Sequence, residues 1–75
     1  MNNDFVLRQA NLFAGRVSEA APGDPAKQIS LAYRIALGRE PSVEELQIGR
    51  EFLSKQQLVD LTHVLLNLNE FLYIR

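Results

Sequence analysis

Three polar side chains sit inside the most apolar stretch of the chain, and they are the first place to look for chemistry. Asn67, Asn69 and Glu70 interrupt the run Leu65-Leu66-Asn67-Leu68-Asn69-Glu70-Phe71-Leu72-Tyr73. An amide paired with a carboxylate can hold a ligand or a backbone segment. The same residues can instead serve local backbone groups. In one structural reading the helix runs on through them and leaves Asn69 near the edge of an apolar stripe. In the other, Asn67 caps a final turn whose third residue is Glu70. Asn67, Asn69 and Glu70 are therefore the candidate polar motif, with no catalytic role assigned.

The remaining titratable residues carry weaker signals. His63 is the only histidine. It lies opposite the apolar stripe on a helical wheel and has no second metal ligand at i+4, so it reads as a solvated surface residue. Catalysis there would need a nucleophile or carboxylate brought close in space. Glu44, Glu45 and Glu51 flank Arg50, but adjacent carboxylates on a helix point different ways. Their ordinary role is to complement the positive end of the helix dipole. Arg34, Arg39 and Arg50 fall near a helix–turn–helix arrangement, as in some DNA-reading motifs. A recognition helix needs basic or amide side chains at its start, whereas this one begins Val43-Glu44-Glu45, which repels phosphate. Nucleic acid is not an expected partner.

Composition narrows the field further. Seventy-five residues make one domain at most. Apolar residues form 47% of the chain, enough for a core. The absence of cysteine removes disulfides, thiolate metal sites, a cysteine nucleophile and a C-x-x-C-H haem attachment. No cofactor or metal site is expected. The formal charge is -1 with the signs interspersed, so no long-range attraction to nucleic acid or anionic lipid arises. No apolar run exceeds four residues, far below the ~18 that span a bilayer. Met1-Asn2-Asn3-Asp4 lacks the basic-then-apolar layout of a signal peptide.

The elements that must position these residues read as helices. The first is predicted over about 4–21, with Val6, Ala10, Phe13, Val17 and Ala20 on one face, Phe5 and Leu12 beside it, and Asn3 or Asp4 as N-cap. Pro22-Gly23-Asp24-Pro25 breaks it and starts the next, with Asp24 as N-cap and Pro25 at the first helical position. Over 25–37, Ile29, Ala32, Tyr33, Ala36 and Leu37 follow the helical template, and Gly38 ends it. Ser42-Val43-Glu44-Glu45 is a capping box opening a third helix over 43–54. Its narrow face is Leu46, Gly49 and Leu53, widened by Ile48 and Phe52. Gly49 costs about 1 kcal/mol relative to alanine within a helix, so its presence points to close approach of a neighbour. The fourth helix, over 58–72, carries Leu58, Leu61, Leu65, Leu68 and Leu72 at alternating spacings of three and four. The predicted fold is an all-α, small four-helix bundle-like domain spanning 1–75.

Three segments together carry a family resemblance. They are Asp4-Phe5-Val6-Leu7 through Ala10, then Ala32-Tyr33-Arg34-Ile35-Ala36-Leu37-Gly38-Arg39-Glu40-Pro41-Ser42-Val43-Glu44-Glu45-Leu46, then Leu65 to Tyr73. In this order they resemble the C-terminal end of the planctomycete-type domain of unknown function that accompanies cytochrome-c-like domains in large exported proteins. The chain departs from that pattern at Leu68, where the family has a small residue between two asparagines, and in a short link before the fourth helix. The resemblance implies a helical tail of a larger exported protein. It implies no activity and no haem.

The functional expectation is a non-catalytic structural or protein-interaction module. One alternative from another class is a fragment of an enzyme, in which Asn67, Asn69 and Glu70 form one wall of an active site completed by further sequence; the other is a weak DNA-binding helix-turn-helix. The candidate interaction surface is Leu58, Leu61, Val64, Leu65, Leu68, Phe71, Leu72 and Tyr73. Three short partner helices leave part of this surface uncovered, so a homodimer or a larger parent protein is the expected partner.

Overall fold

The computed structural model describes the backbone of residues 4–73 and the side chains as far as residue 69. Four helices follow one another: α1 (Asp4–Ala20), α2 (Pro25–Leu37), α3 (Val43–Leu53) and α4 (Leu58–Tyr73). No strand occurs among the described residues. The all-α expectation holds, and each helix boundary lies within one residue of the position read from the sequence.

The stops and starts work by the chemistry their residues carry. The Asp24 carboxylate accepts from the Lys27 N–H at 3.2 Å, and Pro25 needs no partner at the first helical position. Gly23 (φ 67°) and Gly38 (φ 72°) adopt the left-handed conformation that ends a helix without a Cβ penalty. The capping box forms in full: Ser42 Oγ accepts from the Glu45 N–H at 3.1 Å, and Glu45 Oε1 accepts from the Ser42 N–H at 2.9 Å. At α4 the Asp60 carboxylate reaches back to the Gln57 N–H at 2.9 Å. The expected cap at Asn3 lies outside the described residues, and Asp4 is already helical.

α4 is the hub. It touches all three other helices, α1 most extensively, while α1 and α3 make no contact. Phe13 and Val17 of α1, Ile29, Ala32 and Ala36 of α2, and Leu61 and Leu65 of α4 form one core cluster. Leu31, Tyr33, Leu37, Leu46, Phe52, Leu53, Leu58 and Leu66 pack against it half-buried. Gly49 is the close-approach point that its presence in a helix implied. A Cβ there would meet three carbons of Ile29 at 3.1–3.3 Å.

Four positions differ from the sequence reading. Ala21, four residues after Val17, is buried, while Ala20 is exposed, because α1 ends one residue before the core residue that completes its face. Ile48 does not widen the inner face of α3; it is 66% exposed, about 100° round the helix from Gly49. The leucine stripe is inside only in part: Leu61 and Leu65 are buried, Leu58 is half-buried, and Leu68 is 46% exposed. A strict seven-residue repeat drifts about 20° per heptad on a straight helix, which carries Leu68 towards the flank shared with Val64. Thr62 takes the place beside Leu61 and Leu65 that the stripe left unassigned. It is fully buried, and its Oγ1 lies 2.9 Å from the carbonyl oxygen of Ala10 and 3.0 Å from that of Val59.

Candidate functional site

Polar side chains converge at the corner between α2 and α3. Gly38 turns the chain so that Arg39 reaches forward to Glu45 in a two-pronged pair, Nη1 to Oε1 at 2.7 Å and Nη2 to Oε2 at 2.9 Å. The same guanidinium lies 5.6 Å from the centroid of the Tyr33 ring. Arg39 and the Ser42 N–H together pull the Glu45 carboxyl down to about 2. Burial raises the Tyr33 phenol, and the negative charge of Glu45 adds to that. Arg34 pairs with Glu40 at 3.2 Å, both well exposed, and such a pair contributes little to stability. Each charge in the Arg39–Glu45 pair is thus used within the corner. The arrangement locks two helices at a turn and offers no activated group.

A groove with a different character opens where α1, α2 and α4 meet. It has a volume of about 420 Å³. Phe13, Ala36 and Leu66 lie along it with Leu12 and Ile35, and Gln9, Arg16 and Asn69 bring polar groups to it. Leu12 is 63% exposed and Ile35 is also exposed, so two branched aliphatic side chains face water beside the opening. Arg16 has no ion-pair partner among the described residues. An apolar surface beside an unpaired guanidinium and two amides suits an aliphatic side chain with a carboxylate next to it.

The structure separates the candidate polar motif. α4 continues unbroken through Asn67 and Asn69, so Asn67 does not cap a final turn. Asn69 lines the groove, whereas Asn67 does not, because residues two apart on a helix do not share a face. Asn67 Oδ1 is buried without a hydrogen-bond partner among the described residues. The Glu70 side chain lies outside the described residues, as do those of Phe71, Leu72 and Tyr73. His63, read as solvated, is half-buried. Of the candidate interaction residues, Leu61 and Leu65 are enclosed by the chain's own core and Leu58 is half-buried. Val64 and Leu68 remain on the surface.

Sequence reasoning missed the groove because its lining comes from three helices, at positions that no single periodicity connects. One signal was present. Leu12 lies beside the buried face of α1 and is flanked one turn away on each side by Arg8 and Arg16. It also missed the Arg39–Glu45 pair, which spans six positions across a turn. No described helix is long and apolar enough to cross a membrane. Comparison with protein-family models, with curated proteins and with solved structures returns no match.

Proposed function

We propose that this chain is a non-catalytic helical module whose role is to bind another protein surface. The observation that carries this reading is the groove. Leu12 and Ile35 are held exposed beside a 420 Å³ depression, next to a guanidinium with no ion-pair partner among the described residues, on a scaffold in which α2 and α3 are firmly capped. Contiguous exposed apolar surface rimmed by polar groups is the kind of surface that protein partners cover. Val64 and Leu68 are exposed as well, on a face of α4 separate from the groove residues Leu66 and Asn69. The partner is a second copy of the chain or the body of a larger parent protein. The second option follows the resemblance to the planctomycete-type tail, which rests on the three segments quoted above and is tested by reading the neighbouring coding sequence.

Hydroxyl-radical footprinting tests the reading directly. The chain is oxidised in its native cells and, separately, after purification and dilution. Protection of Leu12, Ile35, Val64 or Leu68 in cells, with Leu65 unchanged, supports a binding role. Equal oxidation in both settings would refute it.

The position of Asn69 on the groove favours one second reading, in which the groove is part of an active site completed by further sequence. Asn69→Ala in the parent protein would then abolish activity while leaving the fold intact. Unchanged parent activity removes that reading.

A further inference from the structure

We infer that the groove on α1 receives the outer face of α3 from a second copy of the chain, so that copies join head to tail. This rests on the binding role proposed above and names its partner. The basis is a match between two exposed stripes.

On α1, Arg8, Leu12 and Arg16 follow one another at intervals of four, and all three are exposed. On α3, Glu44, Ile48 and Glu51 follow at intervals of four and three, and all three are exposed. Each stripe therefore has a branched aliphatic residue at its centre with like charges on both sides, basic on α1 and acidic on α3. The spacings agree as well. Arg8 to Arg16 rises about 12 Å and Glu44 to Glu51 about 10.5 Å along their helices. Laid alongside each other, Ile48 meets Leu12 and Ile35 at the groove while each carboxylate comes within reach of a guanidinium. Arg16, which lines the groove, has no ion-pair partner among the described residues, and neither Glu44 nor Glu51 is in an ion pair there. Glu45, the remaining carboxylate at the start of α3, is held by Arg39 and takes no part.

Other charges weaken the match at its ends and leave its centre. Asp4 stands four residues before Arg8 and Glu19 three after Arg16, so both share the flank of the stripe and offset part of its charge. Arg50 is two residues from Ile48 and so on another face of α3, while Lys55, just past its end and four residues after Glu51, sets a positive charge against the acids that border the α1 stripe. α1 and α3 do not touch within one chain. The two patches are therefore separate surfaces, and a contact between them is heterologous. It leaves one free patch at each end, so association continues beyond a dimer unless the ring closes.

Sedimentation over a micromolar-to-millimolar range tests this. The expected result is a mass that climbs with concentration and falls back in about 1 M salt, where the Debye length is roughly 3 Å. Leu12→Glu blocks the groove and Ile48→Arg blocks the α3 face, and each variant alone is expected to associate at least roughly tenfold more weakly. Mixed together they are expected to form a one-to-one pair, since one retains an intact groove and the other an intact α3 face. A chain carrying Arg8→Glu, Arg16→Glu, Glu44→Arg and Glu51→Arg reverses both stripes and is expected to self-associate again. All these positions are exposed, and circular dichroism melts confirm that the variants fold. A wild-type chain that stays monomeric to millimolar concentration overturns the inference. So does association that neither variant weakens, which would place the contact on Val64 and Leu68. So does a mixture that fails to pair. In each case the footprint of the chain in its native cells still decides the broader binding role separately.

Discussion

Replacing Gly49 with alanine sets two effects of similar size against each other, and the structure says which wins. Glycine within a helix is about 1 kcal/mol less favourable than alanine, so on local grounds Gly49→Ala stabilises α3. The new methyl, however, meets Ile29 Cδ1, Cγ2 and Cγ1 at 3.1, 3.2 and 3.3 Å. Ordinary contact begins near 3.4 Å, so the neighbour must retreat by a few tenths of an ångström. Ile29 cannot swing away, because it is fully buried in the core cluster. Forcing a methyl into such a site typically costs about 1–3 kcal/mol. The net expectation is a destabilisation of about 1 kcal/mol, seen as a Tm lower by roughly 4–8 °C for a domain of this size. Ile29→Val removes Cδ1, the nearest of the three carbons, at its own cost of about 0.5–1.5 kcal/mol. In that background the penalty of Gly49→Ala is expected to shrink, with the Cγ1 and Cγ2 contacts remaining, and urea melts of the four proteins give the coupling. A wild-type Gly49→Ala that gains the full helical increment would refute the close approach of α2 and α3.

Other expectations follow from single contacts. Thr62→Val keeps the shape but removes the hydroxyl that lies 2.9 Å from the Ala10 carbonyl, and is expected to cost about 1 kcal/mol in a chemical melt; no loss would mean the bond contributes nothing. Glu45 is held down to about 2 in the folded state, against an ordinary value of 4.5, so the stability it contributes is present above pH 4.5 and disappears as pH falls towards 2. Glu45→Gln should flatten that part of the acid-stability profile, and an unchanged profile would show the Arg39 pair to be irrelevant to folding. Ser42→Ala removes half of the capping box and is expected to cost about 0.5–2 kcal/mol, read as a lower thermal midpoint.

The helix ends were legible in the sequence because their determinants are local. Asp24 with Pro25, Gly38, and Ser42 with Glu45 each act within four residues, and each does in the structure what its chemistry requires. The inner face of α2 was legible for the same reason, through an unbroken helical period. Burial at the margins was not. Ile48 and Leu68 are apolar residues that the packing left outside, and Thr62 is a polar residue that it took in. A pattern that sorts residues by polarity alone misassigns all three. Which helix lies against which is set by the summed shapes of several faces, so the groove of Leu12, Ile35, Arg16 and Asn69 exists only once three helices have docked. The prominence of Asn67 and Asn69 in the sequence came from their apolar surroundings. The helix separates them, and only Asn69 reaches the groove.

The bond from Thr62 to Ala10 joins positions 52 residues apart, and it lies in the most extensive of the helix contacts. That distance along the chain has a kinetic meaning. α2 and α3 meet across a corner of five residues, stitched by Arg39, Ser42 and Glu45, so their pairing demands little loop closure. α1 and α4 must instead close most of the chain upon itself before any of their contact is realised. α1 also rests on α2, but its contact with α4 is the larger. The expected order puts the α2–α3 corner first and the α1–α4 contact last, so substitutions at the corner are expected to slow folding and substitutions such as Thr62→Val to speed unfolding.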